Sequence, residues 1–124
     1  NKKNFERISL SELRKKKIKF LCLAGFMKVL SKNFINNFRY KIINIHPSLL
    51  PKFKGLNTHK RVLQSKEKYS GCTVHYVTPR LDSGKIIQQK KIFLDKNETE
   101  KSLKRKILIQ EHKLYSKSII SIFR

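Results

Sequence analysis

The chain has 124 residues, with 30 Lys plus Arg against eight Asp plus Glu and a formal net charge of +22 at pH 7. That length fits one domain with a real core, and no apolar run reaches the roughly 20 residues a transmembrane helix needs, which leaves no membrane partner to expect. The charge invites a polyanionic partner, but the basic residues are spread along the chain among many Ile and Asn, and the two clusters, Arg14 to Lys17 and Lys101 to Lys106, read as solvated helix faces; nucleic acid is not the expected partner.

The polar opening, Asn1 to Arg7, has none of the pattern of a signal peptide, and the absence of an initial Met reads as a processed or partial chain. Ser9 to Lys17 predicts a basic helix with a capping Ser. The apolar run Ile18 to Ala24 predicts a strand covered on both faces and ended by Gly25. Ser31 to Phe38 predicts a short helix, and Lys41 to Ile45 a second strand stopped by Pro47, so this stretch reads as a βαβ unit. Pro47 to Leu56, with Pro47 and Pro51, reads as an ordered loop before a basic helix over Thr58 to Lys68. From Gly71 the alternation sets Cys72, Val74 and Tyr76 on one face and Thr73, His75 and Val77 on the other. Lys85 to Leu94 predicts the next strand, joined through Pro79 to Gly84 as an antiparallel hairpin at the sheet edge. Glu98 to Phe123 predicts a long closing helix with Leu103, Ile107, Leu108, Leu114 and Ile119 as its apolar face. The sum is an α/β fold: a mixed, mostly parallel sheet with helices on both faces and an antiparallel edge hairpin. Cys22 and Cys72 lack a C-x-x-C or any metal-ligand spacing and read as buried free thiols of a reducing, cytoplasmic setting.

Asn44 and His46 form the densest polar pair near a strand end. Two residues apart on an extended backbone, their side chains leave the same face while Ile45 turns to the other. In open α/β sheets ligands gather beyond the carboxyl ends of the strands, where this pair falls. An Asn amide can donate to a carbonyl oxygen that gains negative charge, and a His can move a proton near neutral pH. The same residues also suit a backbone cap and an ordinary strand-end polar group. Asp82 lies in the hairpin turn, where a carboxylate is able to orient His46, although Asp before Ser-Gly is common turn chemistry too. His59 and His75 with His46 match no metal-ligand spacing, so no metal is expected. Ser48 lacks a nucleophile elbow, neither Cys has a neighbouring base, and the chain has no Gly-rich phosphate loop.

The segment Asn44-Ile45-His46-Pro47-Ser48-Leu49-Leu50-Pro51-Lys52-Phe53-Lys54-Gly55 resembles the active-site segment of phosphoribosylglycinamide formyltransferases. Leu23 to Leu30, Gly71 to Gly84 and Gln110-Glu111-His112 resemble that family's folate-contacting strand end, Asp-bearing loop and late-helix motif, in the same order and spacing. The similarity runs from about Phe5 to the end. It implies a Rossmann-like, partial formyltransferase fold over residues 1–124 as a single domain. By the resemblance Asn44 would hold the formyl oxygen, His46 would be the acid and base, and Asp82 would tune His46 and help order water. Met27, Lys28, Val29 and Leu30 would contact the pterin of 10-formyltetrahydrofolate, with Lys2 as a basic residue on the folate side. Glu111 and Pro47 would meet the ribonucleotide. Small molecules are thus the implied partners.

Relatives with Asn-x-His and the later Asp include methionyl-tRNA formyltransferase. Pro47 directly after His46, and Gly55-Leu56-Asn57-Thr58-His59, resemble the ribonucleotide enzyme instead. Asn57 stands where bacterial members commonly have His, and Ser116 where a Pro is common. The family's first strand, phosphate-binding loop and first helix are expected to precede Asn1, and its C-terminal tail to follow Arg124. A different class, a catalytically inactive basic module that binds RNA, would use the charge, but the chain carries no nucleic-acid-binding motif.

Overall fold

The computed structural model describes residues 1–26 and 28–124. In chain order these form α1 (Lys2–Lys15), β1 (Phe20–Ala24), α2 (Lys32–Phe38), β2 (Lys41–His46), α3 (Thr58–Gln64), β3 (Tyr69–Tyr76), β4 (Ile86–Phe93) and α4 (Glu100–Ile122). The sheet runs β1-β2-β3-β4. β1 and β2 are parallel, whereas β2 with β3 and β3 with β4 are antiparallel.

The sheet is mixed with an antiparallel edge hairpin, as the sequence implies, but parallel pairing is confined to β1 and β2. The cause lies in the loop after β2. Thr73 Oγ1 donates to Ser48 O at 2.7 Å and accepts from Leu50 N at 3.1 Å. This ties the loop to the sheet end it has just left, so β3 enters where β2 exits and must run the other way.

Successive strand residues face opposite layers. Ile42 packs with Leu30, Phe34 and Phe38 on one side, and Ile43 and Ile45 pack with Cys72, Val74, Leu103, Ile107 and Leu114 on the other. Helices therefore cover both faces, and Asn44 and His46 leave the sheet on the Ile42 side. Leu108, expected on the buried face of α4, is 47% exposed; it sits about 100° around the helix from Ile107, off the stripe through Leu103, Ile107 and Leu114.

α1 starts seven residues before the predicted Ser9, because the Asn1 side chain accepts from Asn4 N at 2.9 Å and caps it. Its inner face is set by Glu6, Leu10 and Leu13 at helical spacing. Leu10 and Leu13 pack against the Phe34 cluster, while the buried Glu6 carboxylate accepts from Ser31 N at 2.8 Å and Ser31 Oγ at 2.5 Å. Ser31 in turn caps α2 by accepting from Phe34 N. Glu6→Ala strips both Ser31 donors of their acceptor and is expected to cost about 1–3 kcal/mol, seen as a lower urea midpoint at unchanged slope.

Among the described residues β1 pairs with β2 alone, and its residues are half-buried or exposed, none fully buried. Cys22 is consequently exposed and only Cys72 is buried, which corrects the expectation of two buried thiols. No helix of the described residues is long and apolar enough to cross a membrane.

Candidate functional site

Asn44 and His46 end β2, and β3 sets His75 opposite Asn44 and Thr73 opposite His46. Asp82 reaches this row from the turn between β3 and β4, where its backbone has φ 46°, a left-handed conformation that Asp adopts more readily than most residues. Its carboxylate is 7% exposed. Asp82 Oδ2 lies 3.5 Å from His46 Nδ1 and accepts from Gly55 N at 2.9 Å, and Oδ1 lies 3.9 Å from His75 Nε2. Gly84 closes the turn because a Cβ there would run into the Tyr76 carbonyl.

Each ring nitrogen has a defined neighbour. His46 Nε2 lies 2.9 Å from Phe53 O; a carbonyl can only accept, so Nε2 carries the proton and Nδ1, facing Asp82, is where a second proton is gained or released. His75 Nδ1 donates to Tyr76 O at 2.9 Å. Burial pushes the His75 pKa below the usual 6.5, helped by nearby His46 and opposed by the Tyr76 carbonyl and Asp82. Neutral at Nε2, His75 turns a lone pair toward Asn44 Nδ2, 3.5 Å away. That holds the Asn44 amide in one orientation, with, among the described residues, its other N–H to spare and its buried Oδ1 without a partner. A buried acceptor of this kind calls for a ligand or water to complete it.

The buried His75 and half-buried His59 give stability a pH dependence of known sign. Burial is the first cause of the lowered pKa in both. Below the unfolded value of about 6.5 the unfolded chain binds protons that the folded chain refuses, so stability is present above that pH and is lost as pH falls through and beneath it. Urea unfolding is expected to show a higher midpoint at about pH 7.5 than at about pH 5.5, with a smaller gap in His75→Gln. An equal gap in the variant would remove His75 from this account.

Two cavities meet at these residues. One, of about 180 Å³, is lined by Asn44, His46, Pro47, Gly55, Asp82 and Glu111 among others. The other, of about 30 Å³, is bounded by Lys28, Val29, Leu30, Asn44, His75 and Asp82 among others. Asn44 and Asp82 belong to both walls, as do Phe26 and Leu81. Burial raises the Glu111 pKa above the usual carboxylate value. Asn44, His46, Asp82, Pro47, Glu111, Lys28, Val29 and Leu30 are thus brought together. Lys2 stands exposed at the start of α1 and lines neither cavity; Met27 lies outside the described residues. His75, weighed in the sequence only as a metal ligand, joins the trio; its one signal is sharing a strand face with Thr73. Among the described residues no group of three or more His, Cys, Asp or Glu side chains is placed to hold a metal ion.

The formyl transferase family profile matches residues 1–119. The chain is 38% identical over 115 residues to phosphoribosylglycinamide formyltransferase of Bacillus subtilis (strain 168), covering 93% of this chain and 59% of that protein. It is 41% identical over 93 residues to the protein of the same name in Escherichia coli (strain K12), covering 75% and 44%. The crystal structure of phosphoribosylglycinamide formyltransferase from Bacillus halodurans superimposes with a TM-score of 0.94 at 34% identity, over 98% of this chain and 63% of that one. The chain therefore spans about half of these relatives' length.

Proposed function

The chain belongs to the formyl transferase family, and on that premise we propose that its site serves transfer of a formyl group from 10-formyltetrahydrofolate to the amine of glycinamide ribonucleotide, in purine synthesis. One observation carries the reading: Asn44 and Asp82 belong to both cavity walls, and His46 stands beside Asp82. A group transfer needs two substrates to meet over one set of polar groups. The spare Asn44 N–H receives the charge that develops on the formyl oxygen when the substrate amine attacks the formyl carbon. His46 takes the proton released by the attacking amine at Nδ1 and returns it to the departing folate nitrogen as its bond to carbon breaks. Asp82 faces that nitrogen throughout and stabilises the charged ring.

On this reading Lys28, Val29, Leu30 and Met27 border the pterin, Lys2 lies farther along the folate, and Pro47 and Glu111 meet the ribonucleotide. A cytoplasmic setting fits the free thiols. Transfer to an aminoacylated tRNA is not favoured, since relatives at about this identity bear the ribonucleotide enzyme's name.

The test is isothermal titration with a stable 10-formyltetrahydrofolate analogue, alongside a formyl-transfer assay with glycinamide ribonucleotide. Folate binding that Asn44→Ala weakens supports the reading. Tight, salt-sensitive tRNA binding with no folate binding would sink it.

A further inference from the structure

Gln89 of β4 lies outside both cavity walls, yet it ends a single row across the sheet. His46 on β2 is the register partner of Thr73 on β3, and Thr73 is the partner of Gln89 on β4. From its end of the row the Gln89 amide donates twice, to Leu50 O at 2.8 Å and to Thr73 Oγ1 at 2.9 Å. Thr73 gives its one hydroxyl proton to Ser48 O at 2.7 Å and also accepts from Leu50 N at 3.1 Å. One donor and two lone pairs are all a hydroxyl has, so every hydrogen-bonding position of Thr73 is filled.

The clamp leads to His46 through the loop it holds. Buried Ser48 shares its one hydroxyl proton between Lys52 O at 2.6 Å and Phe53 O at 3.1 Å, and Phe53 O is also the acceptor of His46 Nε2. Moving Ser48 or Leu50 moves the carbonyl that fixes the His46 ring, and with it the nitrogen that faces Asp82. We infer that Gln89 is a positioning residue for His46, acting through Thr73 and the Ser48–Phe53 loop. Its bearing on catalysis rests on the formyl-transfer reading above, whereas its hold on the ring does not.

The chemistry at Gln89 is one-sided. Leu50 O can only accept, and the sole Thr73 proton is committed to Ser48 O, so position 89 must supply two protons. Gln89→Glu keeps the shape and, when ionised, supplies none, setting oxygen against oxygen at both contacts. Thr73→Val likewise keeps shape and loses the hydroxyl, while Thr73→Ser retains it.

The experiment is nitrogen-15 NMR of histidine-labelled full chain, reading the tautomer of His46 and the solvent exchange of its Nε2 proton, with the formyl-transfer assay run on the same samples. The wild type and Thr73→Ser are expected to show a slowly exchanging His46 Nε2 proton. Gln89→Glu and Thr73→Val are expected to speed that exchange at least about tenfold, the order of one lost hydrogen bond, while the β2 amides stay protected. In turnover kcat is expected to fall about 100-fold with KM within about twofold, the mark of a misplaced reacting group rather than lost binding. If Gln89→Glu does not fold, the Thr73 pair decides. An unchanged His46 proton in the folded variants overturns the inference. If the NMR contrast holds but the wild type transfers no formyl group, positioning stands and the functional reading fails.

Discussion

His46→Ala is expected to lower the rate of formyl transfer by about 10²- to 10⁴-fold, the range for removing a positioned general acid and base. The ring is 6% exposed, held at Nε2 by Phe53 O, with Asp82 facing Nδ1 at 3.5 Å. In the variant Asp82 keeps its bond from the Gly55 amide, so the turn retains one anchor. KM for the folate should change little, because none of the Lys28, Val29 and Leu30 wall is touched. A parallel loss in kcat and kcat/KM would identify an interaction made in the transition state. Circular dichroism and the urea midpoint check that the fold survives. Activity within about threefold of wild type in a folded His46→Ala would remove the proposed proton route, since acid and base work of this kind is worth far more. Asp82→Asn, isosteric but uncharged, should fall in the same direction through the loss of charge beside Nδ1.

The part of this site that was legible in the sequence follows from local geometry. Period two along a strand is enough to put Asn44 and His46 on one face with Ile45 behind them, and the alternation of Cys72 to Val77 in the sequence matches the two cores that flank the sheet. Long-range pairing is another matter. His75 becomes a neighbour of Asn44 only when β3 lies antiparallel against β2 in one register, and a shift of one residue would turn Cys72 and Val74 toward the site instead. The 3.5 Å approach of Asp82 depends on a hairpin turn with a left-handed residue, which composition permits at Asp82 without requiring it. Glu6 was hidden for a similar reason. Among basic neighbours it reads as a surface charge, and only its 25-residue reach to Ser31 makes it the buried anchor of α2. Cys22 misled because an apolar strand suggests burial, whereas burial depends on how many neighbours the strand has.

Gly71→Ala is expected to be a severely damaging small substitution for stability, at about 3–5 kcal/mol, the upper end of what single changes do. Gly71 is buried in β3 opposite Lys91 of β4. A Cβ there would overlap the Lys90 carbonyl and stand 2.6 Å from Leu49 Cδ2 and 3.0 Å from its Cγ. The carbonyl is backbone, so relief requires β3 and β4 to part and give up ladder bonds. Leu49, for its part, sits between Ser48 and Leu50, the two residues that Thr73 ties to the sheet. Pushing Leu49 away therefore strains the loop that carries Phe53 O to His46, and the site should loosen before the chain unfolds. A chain of this size should lose roughly 10–20 °C in Tm, since the cost is a large fraction of the roughly 5–15 kcal/mol typical of whole domains. Gly25→Ala is the control. Gly25, unlike Gly71, has positive φ, at 64°, and a Cβ there meets nothing within 4 Å among the described residues, so the left-handed backbone is what is penalised, by about 1–2 kcal/mol. Differential scanning calorimetry of the two variants separates close approach from backbone conformation: Gly71→Ala must melt well below Gly25→Ala. A Tm within about 2 °C of wild type for Gly71→Ala, less than 1 kcal/mol should move it, would mean that β3 and β4 are not locked at this contact, and the hold of the Ser48–Phe53 loop on His46 would lose its foundation.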